Sequence, residues 1–195
     1  MQLDPRIKRA GVLAKEAFQY LNQLQQGEKQ LLRTGNEFID CHITGLLPSD
    51  CILLSANSGI GKTKMLFDTL DQILDEAVNP RAKDIKTLEF ALEMKFLNRV
   101  LRDTNKLTTK KKSQILTEEF SEEEKALVKR YYENLQDDRR YICEESVTTK
   151  DFYEMTKTFC ELNKEADSLV ICIDHVLLLK KEDKFEDPLE ALTSY

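Results

Sequence analysis

The chain predicts an α/β domain with a mostly parallel sheet flanked by helices and preceded by an N-terminal helix. Three observations carry this. The first is an apolar run, Cys51-Ile52-Leu53-Leu54, that leads through Ala56-Asn57-Ser58-Gly59-Ile60-Gly61-Lys62-Thr63 into a segment of helical period. The second is a wholly apolar run, Leu169-Val170-Ile171-Cys172-Ile173, ending at Asp174, which suits a central parallel strand covered on both faces. The third is the alternation of strand-like and helix-like segments between them, the pattern of a parallel sheet with crossover helices.

The chain has 195 residues, is 41% hydrophobic and 33% charged, and carries a net charge of −6. That length fits one domain with a substantial core, or one domain with a short appendage. No apolar run approaches the length of a membrane helix, and the start lacks the apolar core of a signal peptide. The negative balance argues against a surface that holds duplex DNA by bulk electrostatics. The compact basic run Lys110-Lys111-Lys112 reads as a solvated loop. Five cysteines (Cys41, Cys51, Cys143, Cys160, Cys172) lie dispersed without a C-x-x-C pair, beside only two histidines. They read as reduced, mostly buried thiols of an intracellular protein, and a zinc site is not expected.

The elements follow in order. From Pro5 to about Gln26, Ile7, Ala10, Ala14, Ala17, Leu21 and Leu24 repeat at three-four spacing, a narrow seam that Gly27 ends. Such a helix can pack on its own domain or reach a neighbouring subunit. Gly35, Gly45 and Pro48 mark Leu31 to Asp50 as a loop-rich approach to the first strand. After the Gly-Lys-Thr loop, a helix is expected to bury Met65, Leu66, Leu70, Ile73 and Ala77 and to stop at Asn79-Pro80. In Ile85 to Leu92, apolar Leu88, Phe90 and Leu92 alternate with Thr87, Glu89 and Ala91, a strand with one more polar face. A helix from Met94 to about Asp103 should follow. Ser121 and Glu124 form a capping-box signature for a helix burying Leu127, Val128, Tyr131 and Leu135. Tyr141-Ile142-Cys143 suits a short strand, and Phe152, Met155, Phe159 and Leu162 an amphipathic helix.

The chemistry gathers at the strand ends. A strand, a small-residue turn and a helix N-terminus aim backbone N–H groups at one spot, which suits a phosphate chain. Ser58, Gly59, Ile60 and Gly61 would line it, Lys62 would reach the β- and γ-phosphates, and the Thr63 hydroxyl would ligate Mg²⁺. Ala56 stands where the usual pattern G-x-x-x-x-G-K-[ST] has its first Gly. Asp174 is placed to hold the metal from the other side, and Glu93, just past a strand end, to orient and deprotonate water. ATP and Mg²⁺ are therefore the expected ligands.

Leu88-Glu89-Phe90-Ala91-Leu92-Glu93-Met94 resembles the "F-S-L-E-M" segment of the DnaB-type replicative helicases. The stretch from Thr34-Gly35 to Asp50 is similar to that family's "T-G-(x)-x-x-L-D-x-x-x-x-G-L-x-x-G-D" lead-in, with Ser49 in place of the last Gly. Ala56 to Thr63 resembles the "A-R-P-x-M-G-K-T" form of its phosphate loop, and Ile173-Asp174-His175 resembles "I-D-Y". The resemblance runs from about residue 15 to 195. It implies a RecA-like P-loop NTPase fold, ATP hydrolysis coupled to DNA unwinding in a hexameric ring, single-stranded DNA as track, and a primase or loader as partner. It also implies a cytoplasmic protein of a bacterium or a phage. By the same carry-over Glu93 becomes the catalytic base, and Arg99 matches an arginine on the following helix that is assigned to the nucleotide site. Residues 1–30 correspond to the linker helix with which family subunits grip their neighbours, and 31–195 to the N-terminal portion of the ATPase domain. Leu177 replaces a Gln of the family, and the resemblance leaves the domain incomplete on its C-terminal side. The alternative is a nucleotide-binding, non-hydrolysing interaction or regulatory protein derived from a RecA-like ATPase.

Overall fold

The computed structural model describes residues 7–180. Pro5, where the first helix was expected to start, and the chain end at Tyr195 lie outside them. The described residues form two compact units, 7–55 with 68–83 and 56–67 with 84–180. No described helix is long and apolar enough to cross a membrane.

In the first unit, helix α1 (Ala10–Gln25) ends where Gly27 takes φ +72°, a left-handed turn suited to glycine. None of its residues is buried. Its seam, together with Val12, Leu13 and Phe18, stays on the surface. The region expected as loop contains a short helix, α2 (Glu37–Ile43), capped by the Asn36 side chain on the Ile39 N–H. Its cause is Asp40. This buried carboxylate accepts from the Thr34 N–H and hydroxyl, both at 2.8 Å, and from the Gly35 N–H at 3.0 Å. The Thr-Gly to Asp spacing of the lead-in is thus one closed hydrogen-bond ring. Leu32 and Leu46 then pair as an antiparallel bridge.

Helix α3 (Lys62–Ile73) belongs by its first half to the second unit and by its remainder to the first. It stops well before the expected Asn79-Pro80. Buried Asn79 donates its amide to the Ile73 and Arg33 carbonyls, and its Oδ1 accepts from the Arg33 N–H. A helix end satisfied by a side chain needs no further turn. Ala77 is consequently exposed, while Leu70, Ile73 and Leu74 are buried.

Cys51–Leu54 corrects a second expectation. It forms no ladder among the described residues, and Leu53 is 80% exposed. An apolar run reports a wish for burial, whereas a strand exists only through a partner.

The second unit is built on three parallel strands in the order β2-β1-β3: β1 (Ile85–Ala91), β2 (Arg140–Cys143) and β3 (Ser168–Asp174). The expected central strand, β3, lies at an edge of this sheet and is largely half-buried. The centre is β1, and its expected polar face is covered as well: Thr87 and Glu89 are buried. Leu88 and Phe90, on the other face, join Cys143, Val147, Phe159 and Leu179 in the core. Fully burying a side chain such as Phe90 contributes roughly 2–3 kcal/mol.

Four helices complete this unit: α4 (Phe96–Thr108), α5 (Lys112–Thr117), α6 (Glu122–Leu135) and α7 (Thr149–Leu162). The Ser121–Glu124 capping box forms as expected, and Thr148 with Asp151 makes a second at the start of α7. The expected stripes are narrower in fact. Only Val128 of α6 is buried; on α7 Phe159 is buried while Met155 and Leu162 are exposed. Lys110 is not merely solvated: its ammonium meets Glu118 at 3.6 Å and Glu124 at 3.5 Å and donates to the Glu119 carbonyl.

Candidate functional site

The candidate site lies within the second unit, where residues 56–63, the end of β1 and the end of β3 belong together. In the loop, Gly59 and Gly61 take φ +82° and +103°. A Cβ at either would meet nothing within 4 Å, so the backbone conformation alone calls for glycine there. Ser58, Gly59, Ile60 and Gly61 are all exposed. Immediately after them α3 starts, with Lys62 and Thr63 as its first residues.

The first turn of α3 holds no carboxylate, whereas α6 opens with Glu122, Glu123 and Glu124. The positive end of its dipole is therefore left for an anion to offset. Lys62 adds a full positive charge. Its ammonium donates to two carbonyls of its own loop, Ala56 O at 2.8 Å and Asn57 O at 3.1 Å. Those neutral acceptors are weaker than a phosphate oxygen.

Thr63 and Asp174, 111 positions apart in sequence, are joined directly: the Thr63 hydroxyl donates to Asp174 Oδ1 at 2.9 Å. Asp174 is 4% exposed, and its buried Oδ2 has no hydrogen-bond partner among the described residues. Burial pushes the Asp174 carboxyl above the usual carboxylate range. The Thr63 hydrogen bond opposes that rise, the Glu93 charge adds to it, and His175 and Lys62 lower it. An unpartnered buried carboxylate oxygen beside a hydroxyl fits a hard divalent cation. No group of three or more His, Cys, Asp and Glu that could hold a metal occurs among the described residues. The donor set accordingly suits Mg²⁺, which is commonly held by one carboxylate together with substrate phosphates, and not a closed protein cage.

Glu93 lies exposed in the turn between β1 and α4. That turn is braced by Glu144, whose carboxylate accepts from the Phe96 N–H and whose carbonyl accepts from the Lys95 ammonium. His175, next to Asp174, adopts φ +70°, a left-handed conformation costly for a residue with a Cβ.

Arg99 is placed differently from the other candidates. It is 1% exposed, and its guanidinium packs over the Phe67 ring at 4.3 Å and lies 3.5 Å from the buried Glu89 carboxylate. In this arrangement its guanidinium is directed onto Phe67 and Glu89. Neither Phe67 nor Glu89 stood out as a site residue in the sequence.

Against known proteins, residues 32–193 match the family model described as the DnaB-like helicase C-terminal domain. Among solved structures, the chain superposes on one described as an ATPase domain with a TM-score of 0.73 at 12% identity, covering 95% of this chain and 64% of that one. A second structure, of a DnaB-like replicative helicase described with its interactions with primase, matches with a TM-score of 0.64 at 14% identity. There the match covers 92% of this chain and 42% of the other, so this chain spans under two thirds of either. No curated protein sequence matches significantly. The loop, the two strand ends and the parallel sheet accord with RecA-like α/β architecture, and the family match over most of the chain settles membership: this chain belongs to the family of DnaB-like helicase C-terminal domains.

Proposed function

We propose that this chain is the ATP-binding and hydrolysing part of a DnaB-like replicative helicase. The observation that carries the reading is the 2.9 Å bond between Thr63 and Asp174, which ties the phosphate loop to a strand end bearing an unsatisfied carboxylate oxygen. The exposed backbone of Ser58 to Gly61 and the start of α3 receive the phosphates. Lys62 exchanges its two loop carbonyls for phosphate oxygens, which are stronger, charged acceptors. Thr63 and Asp174 hold Mg²⁺, which when bound neutralises phosphate charge. Glu93, exposed in the turn braced by Glu144, takes the proton of the attacking water.

At the scale of the whole protein, residues 1–30 act as the linker helix and 31–195 as the N-terminal portion of the ATPase domain. The apolar residues that α1 leaves on the surface, Leu13, Phe18 and Leu21 among them, support its docking on a neighbouring subunit of a hexameric ring. That ring would move along single-stranded DNA in the cytoplasm, in company with a primase or loader.

The test is hydrolysis by the full-length protein carrying Glu93→Gln. General-base catalysis is worth roughly 10²–10⁴ in rate, so kcat should fall by about that factor. Nucleotide affinity should stay within a few-fold of the parent. An unchanged kcat removes Glu93 from the mechanism.

A further inference from the structure

We infer that Arg99 is a positioning residue which sets the spacing between the phosphate-loop helix and the strand ends carrying Asp174 and Glu93. This rests on the nucleotide-site reading above and deepens it. The residue joins three elements of the second unit at one buried point. On α3, Phe67 stands one helical turn beyond Thr63, and the Arg99 guanidinium lies over its ring at 4.3 Å. On β1, Glu89 faces Arg99 Nη1 at 3.5 Å, four residues before Glu93. In the ladder, Glu89 is in register with Cys172 and Ala91 with Asp174, so whatever holds β1 also holds the end of β3. On α4 itself, Asp103 lies 4.0 Å from Arg99 Nε and accepts from the Tyr131 hydroxyl of α6 at 3.0 Å.

Burial explains why an ion pair at this point concerns geometry more than stability. Desolvating two charges cancels most of their attraction, and apolar replacement of a buried pair is often neutral or stabilising. A guanidinium, however, is a rigid plane that stacks on a ring and pairs with a carboxylate in a set orientation. Apolar side chains fill the same volume with far looser angular control. Arg99 therefore ties the helix bearing Lys62 and Thr63 to the sheet bearing Asp174, about one helical turn away from the point where Thr63 meets Asp174.

The experiment compares the full-length protein with a double variant, Arg99→Met with Glu89→Leu, which removes both charges together. Binding of a fluorescent ADP analogue is titrated with and without MgCl₂, beside thermal melting and ATP turnover. We expect a cooperative melt and Mg²⁺-free affinity close to the parent. The Mg²⁺-dependent gain in affinity should drop about tenfold, within the usual range of coupling between two ligands. Turnover should fall on the order of 100-fold, as for a misplacement of about 1 Å. Phe67→Leu, which keeps an apolar core but removes the stacking plane, should show the same loss in smaller degree, and it carries the test if the double variant fails to melt cooperatively. A folded double variant, or failing it a folded Phe67→Leu, that keeps the full Mg²⁺ gain and turnover overturns the inference alone. A parent protein that binds no nucleotide overturns the nucleotide-site reading and this inference with it.

Discussion

Replacing Asp174 with Asn isolates what the charge at the end of β3 does. The amide keeps an oxygen for the Thr63 hydroxyl, so the 2.9 Å bond can survive, but the anion is gone. In the parent, Oδ2 is buried without a partner among the described residues. Leaving a buried polar atom unsatisfied costs about 1–3 kcal/mol, more when it is charged. A cation that recovers this gains the same amount. At about 1.4 kcal/mol per tenfold, Mg²⁺ should tighten nucleotide binding by roughly 10- to 100-fold in the parent. In Asp174→Asn that gain should vanish, while Mg²⁺-free affinity changes little. Fluorescent ADP titrations with and without MgCl₂ measure both. The pH dependence has a definite sign. Because the Asp174 carboxyl is held above its ordinary range, chiefly by burial, it carries its proton further up in pH than a free aspartate. Mg²⁺ must displace that proton, so the gain should grow as pH rises through the raised value and shrink below it. For the metal-free fold, the favourable contribution of the protonated form is fully present below the ordinary carboxylate range and is lost as pH rises through the raised value. An Mg²⁺ gain that persists undiminished in Asp174→Asn refutes the assignment of this carboxylate to the metal.

Two further outcomes concern the framework. Ser49 takes φ +73°, where a side chain costs about 1–2 kcal/mol; Ser49→Gly recovers this less the roughly 0.4–1 kcal/mol by which glycine loosens the unfolded chain. The variant should be about 0.5–1 kcal/mol more stable in urea denaturation, and a loss of stability contradicts the strain. Asn79→Leu deletes three hydrogen bonds and leaves the backbone groups of Arg33 and the Ile73 carbonyl without that partner. Denaturation should show a loss of about 2–4 kcal/mol, and a loss under about 0.5 kcal/mol contradicts the role of Asn79 in ending α3.

Local signals were the legible part of this fold. The alternation in Ile85 to Leu92 marked β1, the apolar run to Asp174 marked β3, and Ser121 with Glu124 marked the start of α6. Each depends on neighbours in sequence. What remained hidden depends on partners distant in sequence. Cys51–Leu54 has the composition of a strand but no ladder among the described residues, and β3 reads as central yet lies at an edge of the described sheet. Three-four spacing placed Met155, Leu162 and Leu127 on apolar stripes, but spacing does not say where the covering element stops. The same holds for the site. The motif order pointed to Thr63 and Asp174, which the fold brings into contact, while Arg99 is turned inward onto Phe67 and Glu89, a pairing that no spacing rule encodes.

The central claim is that the loop from Ala56 to Thr63 receives a nucleotide's phosphates. Calorimetric titration of Mg·ATP into the full-length protein and its Lys62→Ala variant tests it most directly. Charge-assisted hydrogen bonds contribute about 1.5–3 kcal/mol each, so loss of the ammonium should weaken binding at least tenfold, with ATP turnover abolished. Equal affinity and equal turnover in the two proteins would contradict it.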